Sequence, residues 1–191
     1  MIPESFQSLG HYFSSYIFPL LEETRAQLAS VMEIIHRAPF AEVVTIDEGK
    51  PYGSLLFDVE VDCWRNRLIE RGRKLYKTLP GDILVISNSK PETTSDLQRM
   101  KWSWTFASVT GIEGDEIDDD RSSTKFKVKA SKDIEINSGE QKSLYVVSLI
   151  NIATNKRIWN ALHMLKNRNF IEKVLSISAM VSTETIAVGG T

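Results

Sequence analysis

The chain has 191 residues, enough for one well-filled domain with an appendage and too few for two large domains. Hydrophobic residues make up 42% and charged residues 25%, a balance that excludes both a disordered chain and a membrane-embedded one. The formal net charge of −2 implies no partner by itself, so a face for a polyanion requires uneven placement of charge along the chain.

The first element reads as a helix. Leu9, Tyr12, Phe13, Tyr16, Ile17, Leu20 and Leu21 recur at helical spacing, and Leu28, Val31, Met32 and Ile35 continue the stripe. Pro19 falls inside it, where the missing N–H and a clash with the preceding turn predict a kink or two helices joined end to end. Pro39 ends the arm near Arg37, because the residue before a proline is pushed out of helical geometry. This N-terminal helical arm is placed at residues 5–38.

Over residues 40–150 the period changes to two. "AEVVTI" (41–46), "GSLLFDVEVD" (53–62), "DILVIS" (82–87), "WSWTFASV" (102–109), "TKFKVKA" (124–130) and "SLYVVSLI" (143–150) are short, β-rich and bounded by turn residues. Six such runs at this spacing predict an antiparallel barrel or sandwich. Leu55, Phe57, Val59 and Val61 share a core face, leaving Leu56, Asp58, Glu60 and Asp62 outward. Likewise Phe126 and Val128 turn inward while Lys125, Lys127 and Lys129 turn outward. Trp102, Trp104 and Phe106 alternate on one face, and serve either as the inner wall of a barrel or, beside Arg99 and Lys101, as a stacking platform for nucleobases. Cys63 reads as a small strand residue.

Charge is segregated between these strands. From Trp64 to Lys77, Arg65, Arg67, Arg71, Arg73, Lys74 and Lys77 face a single acid, Glu70, whereas "EGDEIDDD" (113–120) holds six acids and no base. Each run reads either as half of a polarised surface or as a solvated loop tip.

Helical spacing returns after Ile150. Thr154 or Asn155 can cap a helix whose stripe is Ile158, Trp159, Leu162 and Leu165, and Phe170, Ile171, Val174 and Leu175 extend it. A C-terminal helical arm is therefore placed at 154–177 and a flexible tail at 178–191, and the two arms are expected to pair antiparallel.

No motif for chemistry stands out. Neither "GIEGDE" nor "AVGGT" supplies a phosphate-binding loop, the acidic run lacks the glycine and glutamate spacing of a calcium loop, and Cys63 has no turn to expose it as a nucleophile. His11, His36 and His163 are too widely spaced for a zinc site, and one cysteine allows no internal disulfide. The expectation is a non-enzyme with no catalytic residue, metal or cofactor. No run approaches the ~18 apolar residues of a membrane span, and "MIPESFQSLG" has neither the basic start nor the apolar core of a secretion signal, so a nuclear or cytoplasmic, non-secreted protein without a membrane partner is expected.

The order of segments adds a resemblance. "SLGHYFSSYIFPLLEETRAQL", "RAPFAEV", "KPYGSLLFDVEVDCWRNR", "YKTLPGDILVISNSKPETTSDLQR", "WTFASVT", "FKVKASKDIE" and "NKRIWNAL" together resemble the region preceding the motor in plant senataxin/MAGATAMA-type superfamily 1 helicase-like proteins. The likeness extends to about Leu175. It implies an α+β, mainly β fold, a six-stranded antiparallel β-barrel flanked by N- and C-terminal helices packed as a stalk. It also implies that the barrel rests on an ATPase motor and helps to grip single-stranded nucleic acid. The sequence stops where the motor should begin, so neither ATP binding nor unwinding is expected of it. Two functions follow as expectations. One is an accessory domain that binds single-stranded RNA or DNA through Arg65, Arg67, Arg71, Arg73, Lys74, Lys77, Lys125, Lys127 and Lys129, with possible stacking on Trp102 and Trp104, beside a helicase motor domain in cis. The other is a regulatory module that docks a protein partner and binds no nucleic acid.

Overall fold

Each of the six period-two segments forms a strand in the computed structural model, which describes residues 3, 6–65, 76–100, 103–113, 124–134, 143–164 and 169–176. The strands are β1 (Phe40–Glu48), β2 (Leu56–Val61), β3 (Asp82–Ser87), β4 (Trp104–Glu113), β5 (Thr124–Ala130) and β6 (Tyr145–Asn151). They close into a barrel in the order β1-β2-β5-β4-β3-β6, and every neighbouring pair is antiparallel. The α+β, mainly β reading therefore holds, and of barrel and sandwich it is the barrel that forms. Closure removes most of the exposed edge that an open sheet would carry.

Alternation decides what fills the barrel. Phe57, Val59 and Val61 of β2, Leu84 and Ile86 of β3, Ala107 and Val109 of β4, Phe126 and Val128 of β5 and Val146 of β6 point inward and are buried. Leu55 is not part of this row. It precedes β2 with φ 59°, in the left-handed region that costs a branched side chain about 1 kcal/mol or more.

A second apolar layer lies outside the barrel wall. Val85 and Val147, with the partly buried Phe40, Trp104, Phe106 and Leu149, pack against Ile35, Ala38, Met32 and Leu97. Trp104 and Phe106 thus face outward, and the inner-wall reading of this strand is corrected: Thr105, Ala107 and Val109 occupy the inward phase. The residues above them come from the end of helix α1 (Leu9–Glu33), from a 3₁₀ turn, Ile35–Arg37, with Ala38 after it, and from a short helix α2 (Thr94–Met100) that sequence reading did not place. A reciprocal cap starts α2. Asp96 N–H donates to Thr93 Oγ1 at 3.3 Å, while the Asp96 carboxylate accepts from the N–H groups of Glu92 (3.0 Å) and Thr93 (2.8 Å). The Thr93 N–H first, then its hydroxyl, hold the Asp96 carboxyl below the usual carboxylate range.

α1 runs from Leu9 to Glu33 through Pro19 as one helix. The missing N–H forfeits a single bond, to the Ser15 carbonyl, out of a 25-residue ladder. The chain divides into two compact units, Met1–Arg25 with Thr154–Thr191, and Ala26–Ala153. Within the first, Phe6 stands edge-on to Tyr12 at 5.0 Å, and Asn155 Nδ2 donates to Thr24 Oγ1 at 2.6 Å, tying α1 to α3 (Ala153–His163). No helix among the described residues is long and apolar enough to cross a membrane.

Candidate nucleic-acid interface

The predicted cations separate into three groups. Arg67, Arg71, Arg73 and Lys74 lie outside the described residues, as does Trp102. Arg65 and Lys77 lie in the segments on either side of that gap, and both are exposed. Arg65 is anchored by its backbone, which exchanges bonds with Phe40 at 2.7 and 3.0 Å. Its guanidinium donates to the Asp62 carboxylate, and the Cys63 side chain first, then Asp62, raise its pKa above the usual value. Cys63 itself lies past the end of β2 and is exposed, which corrects its reading as a strand residue.

Lys125, Lys127 and Lys129 form the third group, a row on the outer face of β5, with Phe126 and Val128 sealed beneath. Register decides their chemistry. Lys125 lies opposite Glu60 and Lys127 opposite Asp58 on β2, with Nζ to carboxylate distances of 3.4 and 3.0 Å. Lys129 lies opposite Leu56 on one side and Ser108 on the other, so no acid stands directly across from it. The face is therefore a ladder of alternating sign. An exposed pair of this kind contributes between zero and about 1 kcal/mol, so a polyanion that engages several lysines at once can compete for them.

Trp104 is already engaged. Its ring meets Phe106 edge-on at 5.1 Å, and Lys132 Nζ sits 5.6 Å from its centroid. The inward polar groups are satisfied as well. Asp82 accepts from Tyr76 OH, from Leu79 N–H at 2.7 Å and from Asn151 Nδ2 at 2.8 Å, and Trp64 Nε1 donates to Thr78 Oγ1 at 3.0 Å. Burial first, and then the bond to Asp82, push the Tyr76 phenol above its usual value. Among the described residues no cluster of three or more His, Cys, Asp or Glu could hold a metal ion.

A family model described as "Domain of unknown function (DUF6469)" matches residues 1–182. The chain belongs to the DUF6469 family. The matched span takes in α1, all six strands and α3, so the DUF6469 unit is the barrel together with both arms. A search of curated proteins gives no match. In this DUF6469 chain the acids Asp58 and Glu60 belong to the lysine row as much as the lysines do. Their signal in the sequence is the complementary phase of "FDVEVD" and "KFKVK", which predicts opposite charges on two outward faces but not that the two strands are neighbours.

Proposed function

We propose that this chain is a non-catalytic accessory module of a plant-type senataxin-like helicase, acting in the nucleus or cytoplasm. In this reading it helps to bind single-stranded RNA or DNA and to regulate an ATPase motor in the same protein. The observation that supports nucleic-acid contact most directly is the commitment of Lys125, Lys127 and Lys129 to one outward face, with Lys129 lacking an acid directly across from it. The likeness of segment order to the pre-motor region of such helicases supports the assignment to a larger machine.

Binding of labelled single-stranded RNA across a salt series tests this reading. Each phosphate neutralised adds roughly −0.7 to the slope of log affinity against log salt, so three lysines give a slope of about −2. Replacing all three by glutamate is expected to abolish binding while leaving the barrel folded. Absence of binding at low salt, or binding indifferent to the triple replacement, overturns it.

The pairing of Lys125 and Lys127 with Glu60 and Asp58 favours a second reading, a regulatory module that docks protein and no nucleic acid. Exposed apolar side chains of the helices support it: Phe18 is 66% and Phe170 69% exposed. This reading expects capture of the motor domain by the module, with the lysine replacement making no difference.

A further inference from the structure

The lysine row on β5 is graded along its length. Register gives each lysine two lateral neighbours, one on β2 and one on β4. Lys125 lies between Glu60 and Glu113, Lys127 between Asp58 and Gly111, and Lys129 between Leu56 and Ser108. The number of acidic residues directly across therefore falls from two to one to none along three successive outward positions.

The acids on β2 are engaged. Glu60 Oε2 lies 3.4 Å from Lys125 Nζ, and Asp58 Oδ1 accepts from Lys127 Nζ at 3.0 Å. An anion from outside reaches Lys127 in exchange for Asp58, and Lys125 in exchange for Glu60. The exchange is a small one. The side chains of Lys127 and Asp58 are 49% and 44% exposed, and breaking a pair so screened weakens binding by no more than about fivefold. On its β4 flank Lys127 has somewhere to turn, because a Cβ added at Gly111 would meet nothing within 4 Å beyond its chain neighbours.

We infer that Asp58 and Glu60 act as internal competitors of the polyanion: a single strand engages Lys129 first, and takes Lys127 and Lys125 by displacing their carboxylates. The inference rests on the nucleic-acid reading proposed above and states how that contact is regulated. Such a row selects by valence. A lone phosphate gains little at Lys127, where a carboxylate already stands, whereas a strand held at Lys129 brings its next phosphates to the other two lysines at high effective concentration.

The test is a double-mutant cycle on the whole chain, read by fluorescence anisotropy of fluorescein-labelled oligouridylate at low salt. Asp58→Asn keeps the shape of the side chain and removes its charge, and is expected to tighten binding about two- to fivefold. In the Lys127→Ala background the same replacement is expected to gain less than half as much, because the partner it releases is gone. Glu33→Gln, an equal change of net charge at an exposed position of α1, is expected to leave affinity unchanged. Single alanine replacements are expected to rank Lys129 above Lys127, and Lys127 above Lys125, in affinity lost. No gain from Asp58→Asn, an equal gain with and without Lys127, or a flat or reversed ranking would overturn the inference while leaving nucleic-acid binding intact. If neither the parent chain nor Asp58→Asn binds the strand, the nucleic-acid reading itself falls, and the inference with it.

Discussion

On the β3, β4 and β6 side of the barrel, the outward residues Val85, Trp104, Phe106 and Val147 lie beneath Ile35, Ala38 and Leu97. On the β1, β2 and β5 side, the outward positions are Thr45, Asp47, Asp58, Glu60, Lys125 and Lys127. Both faces back onto the same apolar interior. Among the described residues, the difference between them is whether a segment of chain returns to cover the wall. Where the 3₁₀ turn and α2 do so, the outer face becomes a second core, stabilised at about 25 cal/mol per Å² of apolar surface removed from water. Where nothing among the described residues returns, the wall is held from inside and decorated outside by ion pairs of little individual worth. One face is therefore committed to stability, and the other presents charged side chains in pairs.

Leu97 gives the largest test of this contrast. Leu97→Ala removes the side chain that α2 buries on the covered face and is expected to cost about 2–4 kcal/mol in chemical denaturation. A cost under about 1 kcal/mol would mean that the covered face is not a second core. Tyr76→Phe is expected to cost about 1–2 kcal/mol, because Asp82 loses a donor in a buried place. It also carries a pH signature. The folded state holds the Tyr76 phenol above its unfolded value of about 10, so its contribution is fully present below that pH and is lost as pH rises further, when the unfolded chain releases a proton that the folded chain retains. Stability of the parent should fall more steeply above about pH 10 than that of the phenylalanine variant, and parallel curves would refute the assignment.

Thr93→Ala opens the cap of α2 and is expected to cost about 1 kcal/mol, with faster amide exchange confined to residues 94–100. Lys127→Ala gives the smallest effect, below about 1 kcal/mol and shrinking with added salt. If Lys127→Ala cost as much as Leu97→Ala, the distinction between the two faces would collapse.

The two faces were also unequally legible in the sequence. "TKFKVKA" alternates without exception because one side meets water, and its bounds agree with β5. "DILVIS" runs apolar without alternation because Val85 is covered outside as Leu84 and Ile86 are inside, and this too was readable as a buried strand. The orientation of Trp104 and Phe106 was not legible: phase says that two aromatics share a face, and only a covering segment distant in sequence says which face is dry. α2 left a signal in "TTSD", a threonine three residues before an acid, which sequence reading passed over. Lys127 and Asp58 are 69 positions apart, so only the strand order of the closed barrel makes them a pair. Of the cation cluster between Arg65 and Lys77, Arg67, Arg71, Arg73 and Lys74 fall outside the described residues.

The seam of the barrel joins its earliest strand to its latest, with Phe40 opposite Val147 and Ser148 N–H donating to Pro39 O at 2.9 Å. A ribosome must therefore add roughly a hundred residues after β1 before the cylinder can shut, a wait on the order of 5–20 s at ordinary elongation speed. During that interval the nascent sheet is a curved, unclosed ribbon with its greasy side showing. Guarding that ribbon from neighbouring chains is a burden this protein meets at birth, once per molecule, before any partner is encountered.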